Sequence, residues 1–342
     1  MKRLFLVLVL GLTSLPLVYA QGLDLTIGGY GIGIGNVDRV NGIRLNYRDW
    51  GLDEVNGINL TIWRPVGDAE GTVNGLALGL PLTGAEHING IGLGVFGIEA
   101  RDDFYGIGFG GLGIGAGDDL NGIVFGGIGA GAGGDVRGIV VGGIGAGAGG
   151  DLEGIIVGGI GAGAGGDARG IILGGIGAGA GRNLTGFAFG TVGVGAGENV
   201  RGILVGGLGV GAGRDLEGIA IGGLGVGAGG TLRGIAIAGG GVGAPRIEGV
   251  VISGIGAGGI EVVGLSFAPV YFKIVEDGYL KGLSISAYND IRRGEQRGIT
   301  IGLLNIAREL YGLQIGIINV AHNNPPGLRV LPLFNANFSG RD

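Results

Sequence analysis

Several ingredients that define common protein classes are scarce or missing in this chain of 342 residues. There is no Cys, which excludes a disulfide scaffold and a thiolate metal site. Only 8 Pro occur and Gly does not recur at every third position, so collagen is excluded. Charged residues make up 15% and apolar residues 46%, the reverse of the balance that is typical of disorder.

Glycine is abundant instead, with 91 residues. Each Gly inside a helix costs about 1 kcal/mol relative to Ala, so a mainly helical protein is disfavoured. The glycine content and a mean hydropathy of +0.52 together predict an apolar β architecture. The formal net charge of −6 argues against nucleic acid as a partner, because non-specific binding needs a basic surface.

The N-terminal segment 1–20 has the pattern of a secretory signal peptide. Lys2 and Arg3 precede an apolar run at 4–17, and the segment 18–20 offers a cleavage site. A retained membrane anchor is the alternative, but the run is shorter than the ~20 residues that a membrane span needs. We therefore expect an exported protein whose mature chain begins at Gln21.

A short glycine-led repeat fills the centre of the chain. It reads GIVVGGIGAGAGGDLE from Gly138 and GIIVGGIGAGAGGDAR from Gly154. Looser units, which start at Gly42 and resume at Gly249, extend the array in both directions. The 19 units predict an all-β fold, a single-chain β-solenoid of about 19 coils of 14–18 residues. Their leading glycines are Gly42, Gly57, Gly75, Gly90, Gly106, Gly122, Gly138, Gly154, Gly170, Gly186, Gly202, Gly218, Gly234, Gly249, Gly264, Gly282, Gly298, Gly312 and Gly327.

The alternation of side chains within a unit predicts which of them face the core. A bend at Gly158-Gly159 would direct Ile155 and Ile160 inward and leave Ile156 outside. In the degenerate units this outer position is polar, with Arg44, Asn59, Ser284, Thr300 and Gln314. In the regular array it is apolar and predicts an exposed contact stripe. That stripe consists of Val124, Val140, Ile156, Ile172, Ala188, Leu204, Ala220 and Ala236.

An antiparallel meander or an outer-membrane β-barrel is the alternative architecture, with one strand of about 11 residues in each unit. The residue before the leading glycine alternates with a period of two units. This period favours a meander, because a meander has turns at two ends. A solenoid explains the period as well, since Arg and Glu on neighbouring coils attract each other. The residues concerned precede the leading glycines: Arg137, Arg169, Arg201 and Arg233 in one set, Asn121, Glu153, Thr185 and Glu217 in the other.

One column of turn residues is mostly acidic, and both a calcium ladder and Asx turns would explain it. Asn and Thr replace Asp within the column, which favours Asx turns, where the side chain caps its own backbone two residues on. The column is Asp119, Asp135, Asp151, Asp167, Asn183, Asn199, Asp215 and Thr231. His87 and His322 lie in separate turn-like segments, a poor basis for a metal site. We predict no cofactor and no enzyme activity.

The end of the chain resembles a family of bacterial surface-repeat proteins built from tandem G-L-Q-I-G-L-x-N-x-A units with a Leu-Pro-rich finish. The resemblance is carried by GITIGLLNIAREL at 298–310, GLQIGIINVAHNN at 312–324 and GLRVLPLFNANF at 327–338, and partly by 42–62. The central array departs from it, because Gly161 stands at the Asn position of the unit. The resemblance implies export to the bacterial outer surface and carries no catalytic residues.

These observations predict an exported, non-enzymatic repeat protein of the cell envelope that acts as a structural or adhesive surface rod. The contact stripe would be its contact face, toward an unknown protein, an envelope surface or a second copy, with possible association with the outer membrane. An integral outer-membrane β-barrel is the alternative. We divide the chain into a signal peptide (1–20), irregular N-terminal coils and a cap (21–105), regular repeats (106–249), and irregular C-terminal coils and a cap (250–342).

Overall fold

The structure is a computed structural model that describes residues 22–339. The predicted signal peptide at 1–20 lies outside the described residues. The chain is all-β, with 74% strand, and forms a β-solenoid of about 16 turns. The predicted fold class is therefore confirmed, although the coils are fewer than the 19 expected.

The chain forms two compact units, one ending at Leu112 and the other beginning at Gly113. The strands of the N-terminal unit are β1 (Leu23–Ile27), β2 (Tyr30–Ile34), β3 (Arg39–Arg48), β4 (Glu54–Trp63), β5 (Thr72–Gly79), β6 (Leu82–Gly94) and β7 (Gly97–Gly110). Those of the C-terminal unit are β8 (Gly113–Ala116), β9 (Leu120–Gly126), β10 (Gly129–Ala132), β11 (Val136–Gly142), β12 (Gly145–Ala148), β13 (Leu152–Gly158), β14 (Gly161–Ala164), β15 (Ala168–Gly174), β16 (Gly177–Ala180), β17 (Leu184–Gly190), β18 (Gly193–Ala196), β19 (Val200–Gly206), β20 (Gly209–Ala212), β21 (Leu216–Gly222), β22 (Gly225–Ala228), β23 (Thr231–Ala238), β24 (Gly241–Gly243), β25 (Arg246–Ser253), β26 (Gly256–Phe267), β27 (Tyr271–Ile285), β28 (Tyr288–Ala321) and β29 (Val330–Asn337).

A regular coil consists of one seven-residue strand and one four-residue strand, as in β13 and β14. Each strand pairs in parallel with its counterparts in the coils before and after it. Ile156 is therefore in register with Val140 and Ile172. Because equivalent residues of successive coils stack, every repeat position becomes a column along the array. Parallel pairing at an offset of one coil shows that the antiparallel alternative is wrong.

The core of a regular coil is formed by Leu152, Ile156 and Ala162, with 1%, 0% and 6% of their surface exposed. The bend after Gly158 therefore exists, and both strands face one interior. Ile155 and Ile160 lie outside that interior, with 39% and 50% exposed. The prediction that these two residues meet in the core is wrong.

The leading glycine explains why the faces are exchanged. Gly154 lies on the inward side of its strand, with φ of +131°. A Cβ on Gly154 would lie 2.0 Å from the carbonyl oxygen of Gly138 in the preceding coil. Only glycine allows the backbones to approach this closely. Since side chains alternate along the strand, an inward Gly154 places Leu152 and Ile156 inside as well and Ile155 outside.

The predicted contact stripe is consequently part of the core, and its prediction as an exposed surface is wrong. Its members are all 0% exposed: Val124, Val140, Ile156, Ile172, Ala188, Leu204, Ala220 and Ala236. The polar residues predicted to point outward in the degenerate units are buried too, again at 0%: Arg44, Asn59, Ser284, Thr300 and Gln314. Between the leading glycine and the bend, the sequence pattern therefore separates the two faces correctly but assigns inside and outside the wrong way round. In the shorter strand, Ala162 is buried, on the side to which the same pattern assigns it.

The ends of the array do not form further parallel coils. In the N-terminal unit, β1 pairs antiparallel with β2. In the C-terminal unit, β29 folds back and pairs antiparallel with the part of β28 from Gly312 to Val320. The segment that follows Gly327, counted as a coil in the sequence, is therefore an antiparallel strand.

Candidate contact face

The C-terminal unit exposes three columns of apolar side chains on consecutive coils, which we call the outer apolar face. The first column contains Ile155 and its equivalents, the second contains Val157, and the corner column contains Ile160 in the bend between the two strands. The first column runs through Ile123, Ile139, Ile155, Ile171, Phe187, Ile203, Ile219, Ile235, Val250, Leu265, Leu283 and Ile299. The second runs through Phe125, Val141, Val157, Leu173, Phe189, Val205, Ile221, Ile237, Ile252, Phe267, Ile285 and Ile301.

The corner column is the most exposed of the three. Ile144, Ile160 and Ile176 expose 49%, 50% and 50% of their surface. Their backbones are fixed by a continuous ladder, in which the amide of Ile160 donates to the carbonyl of Ile144 and the amide of Ile176 to that of Ile160, each at 2.6 Å. An apolar surface of this extent typically marks an interface, because monomeric soluble proteins rarely expose one.

The short strand next to the corner column has an almost bare outer side. Its outward positions are Gly161 and Gly163 in the coil described above. A Cβ at Gly161 would have no neighbour closer than the carbonyl oxygen of Gly177 at 3.9 Å, an ordinary contact distance. In contrast to Gly154, this glycine is not required by the packing of its own chain.

A row of polar and charged side chains borders the first column two residues earlier on the same strands; we call it the charged row. Within it, Arg201 pairs with Glu217 at 2.7 Å and Arg233 with Glu248 at 2.8 Å. The pKa of Glu248 is lowered, chiefly by the hydrogen bond that the Arg233 side chain donates to it. The row consists of Asn121, Arg137, Glu153, Arg169, Thr185, Arg201, Glu217, Arg233 and Glu248.

Alternation in the charged row is interrupted at Thr185, where a short side chain stands between two arginines. A depression of about 510 Å³ runs along the row from Arg169 to Arg233, past Thr185, and is lined on its other side by turn residues from Asp167 to Thr231. The side chains of Arg169 and Arg201 are 62% and 71% exposed. The row therefore presents accessible guanidinium groups along the edge of this depression.

The acidic column caps the next coil, which differs from the predicted Asx turns. The carboxylate Oδ1 of Asp135 accepts a hydrogen bond from the backbone amide of Asp151 at 2.8 Å, and Asp151 accepts one from Asp167 at 2.8 Å. The side-chain oxygen of Asn183 accepts a hydrogen bond from the backbone amide of Asn199 at 3.3 Å. This inter-coil capping explains why Asp and Asn interchange, since both side chains provide the acceptor oxygen.

Buried polar side chains form ladders of their own. Asn289 donates to Oδ1 of Asn305 at 2.7 Å, and Asn305 donates to Oδ1 of Asn319 at 2.7 Å. In the N-terminal unit, buried Arg44 pairs with buried Asp49 and donates to Oδ1 of Asn59 at 3.0 Å. These groups are satisfied within the chain and removed from solvent, so they stabilise the coils and offer no contact surface.

One cluster in the N-terminal unit was missed by sequence reasoning. Glu86, His87 and Asp102 place one carboxylate or imidazole atom each within 4.8 Å of the others, at a register shift between β6 and β7. Arg101 pairs with Glu86 and, at 3.2 Å, with Asp102. The hydrogen bond to Asp102 is the main cause of the raised pKa of Arg101. Arg101 therefore already supplies positive charge to these carboxylates.

A second polar cluster lies on β27 and β28. Arg292 donates to Asp290 at 2.8 Å and lowers the pKa of that carboxyl. The hydroxyl of Tyr271 donates to Oδ2 of Asp290 at 3.1 Å. Burial, followed by the contact with Asp290, raises the pKa of Tyr271 to about 12. The cluster links neighbouring strands and is a source of pH-dependent stability.

The outer apolar face is not predicted as a surface by the sequence pattern, which assigns Ile155, Val157 and Ile160 to the core. Each regular coil carries more aliphatic side chains than one thin interior accommodates, and this excess was the available signal. Residues 22–339 include no helix with the length and hydropathy to cross a membrane. No family model, curated protein or solved structure matches the chain.

Proposed function

We propose that this protein is an exported, non-enzymatic repeat protein of the bacterial cell envelope, with a structural or adhesive role. It acts by surface contact through the outer apolar face. The observation that carries this proposal is the stacking of three exposed apolar columns on consecutive coils of the C-terminal unit. Such a face is costly to leave in water at about 25 cal/mol per Å² of apolar surface, so a partner surface that covers it is strongly favoured.

The polar features of the chain support contact rather than chemistry. Buried amides bond to one another, as Asn305 does to Asn319, and members of the acidic column bond to the next coil, as Asp151 does to the amide of Asp167. The signal-like N-terminus and the resemblance of 298–338 to surface-repeat proteins support export to the envelope. Within residues 22–339, the hydrogen-bonded ladders stabilise the coils and the outer apolar face provides the contact surface. The titratable clusters at Glu86 and Asp290 are ion-paired within the chain.

Fractionation of a bacterium that produces the full chain tests the proposal. We expect the protein in the envelope fraction and its release by an alkaline wash without detergent. The combined substitutions Ile144→Asn, Ile160→Asn and Ile176→Asn should shift most of it to the soluble exported fraction, because they make the corner column polar. Arg214→Gln, an exposed change in the turn after β20, is the control and should leave retention unchanged.

Three outcomes would contradict the proposal. Retention in the cytoplasm would exclude export, and a requirement for detergent would exclude peripheral contact. Circular dichroism of each purified variant shows whether the β-solenoid is intact. If the triple variant is folded and still fully retained, the outer apolar face is not the contact surface.

A further inference from the structure

We infer that the partner of the outer apolar face is a second copy of this chain, packed face to face and antiparallel. This inference rests on the proposed function, because it assigns an occupant to the same face. It makes the structural role of the protein one of self-association. Three features carry it: the area of the face, the order of charges in the charged row, and the depression that Thr185 and Arg201 line.

The area is sufficient for a stable dimer. The charged row and the outer apolar face continue in register from the coil of Asn121 to the coil of Val263. Five residues at ~3.3 Å run from the charged row to the second column, so ten coils at ~4.8 Å give a footprint of about 48 Å by 16 Å, or about 770 Å² on each copy, before the corner column is added. The total of about 1,500 Å² lies within the range of about 1,200–2,000 Å² that stable interfaces bury.

The order of charges is complementary to its own reverse. If the row is turned end for end about the point between Thr185 and Arg201, every charged residue except Arg201 meets an opposite charge on the second copy, and Arg201 meets Thr185. By symmetry this register forms six interchain pairs. The three kinds of pair are Arg137 with Glu248, Glu153 with Arg233, and Arg169 with Glu217.

Neighbouring registers are disfavoured by the same row. A shift by one coil in one direction places Arg169 opposite Arg201 and Glu153 opposite Glu217, and a shift in the other direction places Arg169 opposite Arg233. Like charges in contact across an interface are repulsive and exclude the wrong register. A shift by two coils brings opposite charges together again, but it forms four interchain pairs in place of six, for example Arg137 with Glu217 and Glu153 with Arg201. The charged row therefore favours the stated alignment over its neighbours in a stack of nearly identical coils.

The antiparallel orientation follows from the position of the row. A two-fold axis that lies between the faces and runs across the coils keeps the charged row of each copy on the same edge, so the two rows meet. A parallel pair would place the charged row against the corner column, and residues such as Arg169 would face Ile176. Burying a charge against an apolar column without a partner is costly.

The depression that Thr185 and Arg201 both line extends across the symmetry axis. In the inferred register Thr185 faces Arg201 of the second copy, and the depression of about 510 Å³ leaves room beside the short Thr185 side chain. The side chain of Arg201 is 71% exposed. A long exposed side chain beside a depression in a reversed copy is the shape match expected of an isologous interface, in which one patch meets itself.

Unique thiols test the register, because the chain has no Cys. Glu153→Cys and Arg233→Cys, one of them tagged, are co-expressed and treated with a short bismaleimide whose reach matches the ~10 Å between packed sheets. We expect cross-linked heterodimers. Either variant alone should give almost none, since Glu153 and its own copy lie five coils apart, about 24 Å.

Sedimentation equilibrium provides the second measurement. The unmodified protein should be dimeric, and Arg169→Glu should raise the dimer Kd at least tenfold. The double variant Arg169→Glu with Glu217→Arg should recover most of the lost dimer affinity. Arg214→Glu, which lies outside the face, should leave Kd unchanged. All variants are compared by circular dichroism so that a folding defect is recognised.

Three results would overturn the inference. They are cross-linking of each single variant to itself, a monomeric protein at all concentrations, and a monomer that binds vesicles of neutral or anionic lipid, which would make lipid the occupant. None of them decides the proposed function, because envelope retention and its loss in the corner-column variant are measured separately.

Discussion

A Cβ on Gly154 would lie 2.0 Å from the carbonyl oxygen of Gly138 in the preceding coil. The same relation recurs along the array, for example between Gly170 and the carbonyl of Gly154 at 2.1 Å. The leading glycines therefore set how closely successive coils approach. Their inward position also sets which neighbours are buried, so this one contact accounts for both the stacking and the core.

Gly154→Ala should destabilise the C-terminal unit by at least about 2 kcal/mol, because both backbone strain and a collision oppose it. Alanine would be strained at φ of +131° and would collide with the backbone of the preceding coil. Gly161→Ala is the matched control, because its Cβ would meet nothing closer than 3.9 Å, and it should change stability little. Urea denaturation followed by circular dichroism measures both. Equal losses would show that the close approach of the coils is not what requires glycine.

Ile156→Ala should lower the free energy of unfolding by about 2–5 kcal/mol, because it opens a cavity in a fully buried column. Ile155→Ala removes the same atoms from the adjacent residue, which is 39% exposed, and should cost much less. The comparison, made by chemical denaturation below the Kd of any dimer, distinguishes inside from outside directly. A larger effect at Ile155 would reverse the assignment of the two faces.

Asn305→Leu should destabilise the C-terminal unit by about 1–3 kcal/mol for each buried polar group that it orphans. It leaves Oδ1 of Asn319 without its 2.7 Å donor, and the amide of Asn289 keeps only its longer bonds to the carbonyls of Ser286 and Ile301. Leu303→Ala, on the same strand and 58% exposed, is the control and should have little effect in thermal unfolding. A neutral result at Asn305 would mean that the ladder contributes only packing.

The Asp290 cluster should make the protein less stable in acid. Arg292 holds the pKa of Asp290 below its ordinary value, so the contribution to stability is complete above the unfolded value of about 3.9. This contribution is lost as the pH falls from about 3.9 through the lower pKa of the folded state. Over this range the unfolded state binds the proton more readily than the folded state, so acid favours unfolding. Subtracting the unfolding free energies of Asp290→Asn from those of the wild type at pH 2–7 isolates this part. A difference that does not change with pH would contradict the role of the carboxylate.

Much of the architecture could be predicted from the sequence. The repeat length, the bend after Gly158 and the parallel stacking of equivalent residues are all visible in the spacing of the leading glycines. The candidate contact face could not be predicted correctly, because the sequence pattern assigns Ile156 to the outside and Ile155 to the inside. The polar equivalents of Ile156, such as Gln314 and Thr300, strengthened the error because polar residues are expected to face water.

The buried ladders explain why that expectation failed. Polar side chains that recur in register on stacked coils can bond to one another, as Asn305 donates to Oδ1 of Asn319 at 2.7 Å. Their burial then carries no penalty for lost hydrogen bonds with water. A column of amides is thus compatible with either face.

The sequence by itself determined that the chain stacks repeated coils and that each coil has two chemically different sides. Only the tertiary structure decided which side is inside. The physical reason is that a period of two looks the same when shifted by one residue, and such a shift exchanges every buried side chain for an exposed one. What breaks the tie is the contact between coils at Gly154, which no single repeat contains.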